Sequence, residues 1–522
     1  MQLPSRLIQF ISIGFMILCL SMANIYSSSA SALSSETTVQ TSRRNPSLSS
    51  TPSAPCIIDK PTVISVLPND KKLSSDDGVN CFAWQSFIAL NWPASPTERG
   101  QPDTSKLAQD FGKSDDLSPT VWQTYKLAES VFLPGAKQPS DWNSDDPIPE
   151  KAKPIFKKVQ LARAEQTDYL PVFTMVSKVD SLLPGQVVPD STQATGNILI
   201  DQISNLIHYE KRINQTEFDY IVNKKLYNAN KQGELVKTEG IILPTGSIEI
   251  KSAWRVLEEQ TEDIQNRYKK VKALLYDPSN HTYSQPTLVG LVGLHIIRKT
   301  PTMSGFLWST FEQVDNVNDN SISHTSSIPY SFYNPECPQE TCPQNQAPKD
   351  NNPPYQPVQV TRELQIPQNV DQLNQYVQQE IRNKNQDSVW QFYKLVNVRW
   401  PKNSRPDPAG PNVTIKDFMN GLNKLQYSSS NSQETSNVTM ETYVQKTDCL
   451  LCHQKTPIAA NQTFGCIPAF DDLKLLVEYP ASNFSFLLEK ADTPDHYAAN
   501  NCKNVLNGLR TNFLQQLAAP LN

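Results

Sequence analysis

Two cysteines and a histidine near the carboxyl end are the residues of this chain best suited to covalent cofactor chemistry. They form the sequence Cys449-Leu450-Leu451-Cys452-His453. Two thiols at this spacing can form thioethers with the two vinyl groups of a haem, and the adjacent imidazole can bind the iron. Composition alone would produce the pattern in roughly 0.002 chains of this length. The motif therefore predicts one covalent haem c, with Cys449 and Cys452 as anchors and His453 as an axial ligand.

Three other uses of a Cys-x-x-Cys pair fit the surrounding sequence less well. A thioredoxin-type redox pair should open a helix directly after a strand, whereas residues 437–447 before the motif end in polar residues. A zinc site needs a second ligand pair nearby, and Cys466 and His496 are too dispersed for the usual fingers. A plain structural disulfide is the third alternative, and it also ranks below haem attachment.

The second axial position of the iron decides what such a haem does. A methionine ligand raises the reduction potential, a second histidine lowers it, and an open position permits small-molecule chemistry. No methionine follows Met440, and His496 is the only histidine after the motif. Three alternatives stay open, in this order: an open or water-filled position, ligation by His496, and ligation by Met440. A solvated loop histidine is an equally good interpretation of His496.

An apolar stripe after the motif could pack on the porphyrin. Phe484 and Leu487 recur at helical spacing within it. We name these two as candidate haem contacts. A core helix without any cofactor contact would show the same stripe, so this alternative also stays open.

The amino terminus predicts export to the periplasm. Arg6 precedes an apolar run at residues 10–25 and small residues follow, which is typical of a cleavable signal peptide at residues 1–32. No later stretch is long enough to span a membrane after cleavage. Six cysteines remain besides Cys19 and the motif, and an even number in an oxidising compartment predicts disulfides. Proximity in sequence suggests three pairs: Cys56 with Cys81, Cys337 with Cys342, and Cys466 with Cys502.

The charge balance limits the classes of partner. The formal net charge is −5, with 47 basic and 52 acidic residues. Nucleic-acid binding normally requires clustered cationic side chains, so a nucleic-acid partner is not expected. The expected partner is a redox protein, or a small-molecule oxidant or substrate.

The remaining sequence predicts a mixed α+β fold. Apolar residues at helical spacing predict helices at residues 81–93, 216–227 and 370–382. Strands are predicted at residues 197–201, 247–254, 271–276, 287–298 and 388–400. The run at 287–298 is apolar on both faces, so we expect it at the centre of a sheet.

Composition divides the chain into six segments. They are a signal peptide at 1–32, a flexible leader at 33–55, an α+β domain at 56–320, a Pro/Asn-rich loop with a cysteine pair at 321–357, a connecting α+β region at 358–436, and a small, mainly helical haem-binding segment at 437–522. Within the α+β domain, Glu249 and Lys251 alternate with isoleucines and are expected on the solvated side of a strand. His295 is expected to be a core or inter-strand histidine.

The chain resembles bacterial exported proteins labelled cytochrome c family or cytochrome c domain-containing. The resemblance is carried by residues 82–93, 246–254, 291–297 with 306–316, and the haem motif. It implies one haem and a part in electron transfer, and says little about a substrate. A haem enzyme with an open iron, such as a peroxidase-like oxidoreductase, and a haem-based sensor are the alternatives. The lack of a methionine after the motif departs from a simple cytochrome c shuttle.

Overall fold

The computed structural model describes most of the chain between residues 56 and 494. The described residues are 56, 61–69, 76–162, 170–176, 197–238, 241–302, 305–319, 327–350, 352–400, 435–446, 453, 459, 485 and 487–494. Four candidate site residues lie outside these ranges, namely Cys449, Cys452, Phe484 and His496. The expected signal peptide and leader, and the expected pair of Cys466 with Cys502, also lie outside them.

The described strands form one mixed, mainly antiparallel sheet. They are β1 (Lys126–Leu127), β2 (Val172–Phe173), β3 (His208–Ile213), β4 (Ile248–Val256), β5 (Lys270–Asp277), β6 (Thr282–Tyr283), β7 (Thr287–Lys299), β8 (Phe306–Gln313) and β9 (Tyr393–Arg399). The strand order is β1-β3-β4-β7-β5-β2, while β8 pairs with β7 and β9, and β6 pairs with β5. Only β2 and β5 pair in parallel among these strands.

Strand β7 is the centre of the sheet, as its apolar sequence predicts. One side of it pairs with β4 along most of its length. On the other side its first residues pair with β5 and its last seven with β8. Strand β7 has neighbouring strands on both sides, and both of its faces are covered. Successive side chains are therefore apolar instead of alternating between apolar and polar.

Two of the described helices, Asp76–Leu90 and Gln368–Lys384, pack on one face of this sheet. The described α-helices are α1 (Asp76–Leu90), α2 (Ala128–Val131), α3 (Lys153–Ala162), α4 (Gln215–Asn223), α5 (Ala229–Thr238), α6 (Glu262–Gln265) and α7 (Gln368–Lys384). Helix α7 is amphipathic, and its apolar stripe is buried at Val370, Leu373, Val377 and Ile381. The indole Nε1 of Trp84 on α1 donates to Asn374 Oδ1 on α7 at 2.9 Å. This hydrogen bond links helix α1 to helix α7 over the main core.

Four local expectations differ from the structure. Residues 197–201 form no strand and contain isolated bridge residues, including Ile200, which pairs with Leu206. The segment expected as a strand from 388 begins with a 3-10 helix, Val389–Phe392, before β9 starts. The described part of the stripe after the motif contains a short 3-10 helix, Leu488–Lys490. Strands β3 and β8 were not predicted, because their polar residues interrupt the simple apolar pattern.

The sheet contains strands from both before and after the loop at residues 321–357. Strand β9, which follows this loop, pairs with β8, which precedes it.

Two of the expected disulfides are present, Cys56–Cys81 and Cys337–Cys342. No helix within the described ranges is long and apolar enough to cross a bilayer.

Candidate functional site

The face of the sheet opposite α1 and α7 carries two rows of side chains that meet at a pocket. Because paired residues of neighbouring strands point to the same side, each row crosses four strands. The first row contains Lys211, Lys251, His295 and Thr310, and the second contains Glu249, Ile297, Trp308 and Arg399. All eight residues line the pocket, so the strands β3, β4, β7, β8 and β9 form its floor.

Residues from the carboxyl-terminal part of the chain complete this pocket. Thr435, Glu441, His453 and Leu487 line it together with Ile250 and the two rows. The space between these walls is about 750 Å³, part of which is open to solvent. His453 is therefore brought from the predicted haem motif to the surface of the sheet.

Trp308 is the sheet residue that contacts the motif histidine. The ring centroids of Trp308 and His453 are 4.3 Å apart, with their planes at 66°. Such an edge-to-face arrangement is a favoured geometry for aromatic rings. The indole Nε1 of Trp308 is buried and has no hydrogen-bond acceptor among the described residues. A buried N–H without a hydrogen-bond partner is unfavourable. A ligand in the pocket that accepts a hydrogen bond from this atom would therefore be favoured.

The segment at residues 435–446 lies across the same face of the sheet. Asn437 Nδ2 donates to Thr310 Oγ1 at 3.0 Å and to the carbonyl of Phe311 at 2.9 Å. The amide of Val438 donates to Glu312 Oε1 at 2.7 Å. The backbone at Gly293 makes room, because a Cβ there would lie 2.2 Å from Thr439 Oγ1. These contacts fix the polypeptide that leads into the haem motif.

The buried carboxylate of Glu312 is itself paired. It forms an ion pair with Arg362, whose guanidinium also binds Asp319 at 2.9 Å. Lys394 contacts the same Asp319 carboxylate at 2.5 Å. Burial acts to raise the pKa of Asp319, but the two cations outweigh it and hold that pKa at about 2. This network supports the segment at 435–446 and pairs the carboxylates of Glu312 and Asp319 with cations.

Glu441 of this segment is directed at His295. Its Oε2 atom accepts a hydrogen bond from the amide of Asn437 at 2.9 Å. The same oxygen lies 3.4 Å from His295 Nε2. Both side chains are mostly shielded from water, with 17% of His295 and 13% of Glu441 exposed. The contact gives the imidazole a carboxylate partner on one of its two ring nitrogens.

The wall near β4 contains two buried acids. Glu249 lines the pocket, and Glu217 of α4 lies against it. Burial raises the pKa of Glu249 to about 7, an effect that Ser485, Glu217 and Lys211 partly offset. Burial, and then the charge of Glu249, raise the pKa of Glu217 well above its ordinary value. Burial therefore favours the protonated form of these carboxyl groups over the ionised form.

The structure brings some of the predicted site residues together and separates others. His453 and Leu487 line the same pocket. Met440 does not line it, because its side chain is 1% exposed within a second apolar cluster that includes Val438. Cys449, Cys452, Phe484 and His496 belong to the ranges that the structure leaves undescribed.

One expectation for charged residues was wrong. Glu249 and Lys251 share one face of β4, as their alternation predicts, but that face lines the pocket instead of solvent. His295 is likewise a pocket residue. Reasoning from the sequence missed Trp308, Arg399 and Glu441 altogether. Trp308 could have been found from the sequence. It lies within an eight-residue strand, on the opposite face from Leu307 and Ser309.

The residues of the pocket fit a haem bound to the motif. Ile297, Trp308 and Leu487 supply apolar surface, and His453 supplies an imidazole. Lys211, Lys251 and Arg399 supply positive charge suited to the two carboxylates of a haem. Two buried donors without acceptors in the described chain, Trp308 Nε1 and Thr435 Oγ1, suit the same carboxylates. No group of three or more His, Cys, Asp or Glu side chains in the described residues is arranged for a bare metal ion.

Comparison of the chain with models of protein families, with curated proteins and with solved structures finds no match.

Proposed function

We propose that this chain is a c-type haem protein that transfers electrons outside the cytoplasm. One haem c would be attached through Cys449 and Cys452, with His453 as an axial ligand. The resemblance to the cytochrome c family is part of the same proposal. The partner would be another redox protein.

The proximity of His453 to an aromatic, partly cationic pocket is the observation that carries the proposal. A solvated loop histidine has no reason to pack its ring against a largely buried tryptophan. An axial histidine must be held in one orientation, and the contact with Trp308 restricts the ring. The motif and the sheet residues of the pocket come from separate parts of the chain, and both suit the same group.

The pocket residues have distinct tasks in this proposal. A bound haem supplies the one-electron couple, because its iron alternates between the ferric and ferrous states. Ile297 and Leu487 would shield a bound haem from water, and the contact with Trp308 would orient His453. Lys211 and Arg399 lie where they can offset negative charge on the group.

Two disulfides support a location outside the cytoplasm. Cys56–Cys81 and Cys337–Cys342 require an oxidising compartment to form and persist. The amino-terminal sequence is typical of an export signal, and haem attachment to a Cys-x-x-Cys-His motif suits the periplasm. We therefore propose the periplasm as the location.

Haem attachment is tested with the full chain expressed together with a bacterial cytochrome c maturation system. The double variant Cys449→Ser/Cys452→Ser should lose peroxidase-type haem staining on a denaturing gel. The mass of the wild-type polypeptide should exceed its calculated value by one porphyrin. As a control, Cys337→Ser/Cys342→Ser removes a pair of cysteines distant from the motif and should keep the stain. A wild-type mass without porphyrin would overturn the proposal.

A further inference from the structure

We propose that His295 is the second axial ligand of the haem iron, with Glu441 as the residue that orients it. The inference rests on the proposed function, because it concerns the same haem. It replaces the three alternatives that the sequence left open for this position. The candidate is a strand residue about 160 positions before the motif, so the site would join the sheet to the carboxyl-terminal segment.

The first observation is the position of His295 relative to the motif histidine. Four of the six histidines lie in the described ranges, and two of these, His295 and His453, line the pocket. His295 pairs with Thr310 across β7 and β8, which makes Trp308 its diagonal neighbour on the same face. Diagonal neighbours have Cα atoms about 7–8 Å apart. The indole that contacts His453 therefore also lies beside His295.

The second observation is the carboxylate behind the imidazole. Histidines that bind metals usually donate their other ring N–H to a carboxylate or carbonyl, which fixes the ring and strengthens the donor nitrogen. Glu441 Oε2 lies 3.4 Å from His295 Nε2, within reach of such a contact. A proton on Nε2 shared with this carboxylate would leave the lone pair of Nδ1 for the iron.

The third observation is the rigidity of that support. Glu441 is held by the amide of Asn437, and Asn437 is bonded to two residues of β8. Strand β7 is central in the sheet, so His295 stands on one of the least mobile elements of the fold. Ligands presented by strands are held more precisely than ligands on loops.

The rival ligands have weaker support. Met440 is buried in the second apolar cluster, and the segment that carries it is fixed by the bonds of Asn437 and Val438. Its thioether would have to leave that cluster to reach the pocket. His496 is outside the described ranges and is retained as an arm of the test.

The test compares ferric absorption and electron paramagnetic resonance spectra of the haem-loaded full chain. The wild-type protein should be low-spin. His295→Ala should become high-spin while the haem content per polypeptide stays unchanged, because the thioether bonds do not depend on His295. The control His281→Ala replaces an exposed histidine bonded to Tyr276 and should keep the low-spin spectrum.

The outcomes separate the two proposals. Haem that remains low-spin in His295→Ala, or that turns high-spin in His496→Ala or Met440→Leu, would overturn the assignment of His295 and leave the proposed function intact. A high-spin wild-type protein would also overturn the assignment and would favour an open iron. Absence of covalent haem from the wild type would instead refute the proposed function. If His295→Ala does not fold, His295→Met keeps a ligand at this position and should raise the reduction potential.

Discussion

The imidazole of His453 stands edge-on to the indole of Trp308, with 4.3 Å between the ring centroids. The two residues are 145 positions apart, and the contact attaches the haem motif to the sheet. Trp308→Ala should lower the free energy of unfolding by about 3–5 kcal/mol, because it truncates a largely buried tryptophan. It should also reduce the haem content of the folded protein. Urea unfolding and the ratio of haem to polypeptide measure these two effects.

Trp308→Phe serves as the matched control for this prediction. Phenylalanine keeps a ring beside His453 and removes the indole N–H. We expect a loss below about 1.5 kcal/mol and normal haem content. If Trp308→Ala retained both stability and haem content, the contact with His453 would have no role in holding the motif.

Gly293 allows the segment at residues 435–446 to approach the sheet. A Cβ at this position would lie 2.2 Å from Thr439 Oγ1, closer than real atoms approach, and 3.1 Å from Asn437 Oδ1. Gly293→Ala should therefore displace the segment and lower the free energy of unfolding by about 1–3 kcal/mol. Urea unfolding gives the loss, and limited proteolysis should show earlier cleavage within the segment.

A double-mutant cycle with Thr439→Ala isolates the steric cause. Removing the Thr439 hydroxyl removes the closest atom, so Gly293→Ala should destabilise the Thr439→Ala protein less than the wild type. An equal loss of stability in both backgrounds would mean that the clash with Thr439 is not the reason for the glycine.

The features of the fold that the sequence predicted best are those that depend on the residue pattern of a single helix or strand. The α+β class was confirmed, and so was the central position of β7, because a strand covered on both faces must be apolar along its length. The helices that contain Trp84 and Val377 were also predicted, since their apolar spacing reflects the core that they cover. The pairs Cys56–Cys81 and Cys337–Cys342 followed from proximity alone.

The pocket could not be predicted, because it depends on what covers a strand face. Alternation shows that Glu249 and Lys251 share a side, and solvent is the simplest surrounding for charged residues. A distant segment covers that side instead, through bonds such as the one from Asn437 to Phe311. Nothing in the local sequence of β4 indicates this cover. His295, expected to be a core or inter-strand histidine, lies on the same covered face of the sheet.

Glu441 should tune the reduction potential through His295. Glu441→Gln keeps the size of the side chain and removes its charge. In the proposed haem site the imidazole would then be a weaker donor and a negative charge near the iron would be lost, so the reduction potential should rise while the spectrum stays low-spin. Redox titration of the haem-loaded protein measures the shift. Glu363→Gln is the control, since Glu363 binds Lys446 of the same segment at 3.4 Å but does not line the pocket. Equal potentials in the two variants would argue against tuning by Glu441.

The two disulfides should differ in their contribution to stability. Cys56 and Cys81 are 25 residues apart, whereas Cys337 and Cys342 are 5 apart. A longer loop restricts the unfolded chain more, so the first bond should contribute about 3.5 kcal/mol and the second about 2 kcal/mol. Urea unfolding of Cys56→Ser/Cys81→Ser and Cys337→Ser/Cys342→Ser compares them. A larger loss from the second variant would contradict the loop-length explanation.

The buried pair of Glu217 and Glu249 should make the protein less stable as pH rises. Burial raises the pKa of Glu249 from 4.5 to about 7, so the native state binds more protons than the unfolded state between these values. The free energy of unfolding should therefore fall as pH rises from about 4.5 through 7. The contribution from Glu249 is on the order of 3 kcal/mol, and the raised pKa of Glu217 acts in the same direction.

Glutamine at either position removes the titrating group while keeping the shape. Glu249→Gln should flatten the fall in stability between pH 5 and pH 8, which urea unfolding at the two pH values can measure. Lys211, Lys299 and Ser485 remain in both proteins, so their own effects on the pair do not explain the difference. Glu262→Gln, at an exposed position of α6, should leave the pH dependence of the wild type unchanged. A slope in Glu249→Gln equal to that of the wild type would show that this carboxyl group stays ionised in the folded protein, and the proton would then have to be held by Glu217.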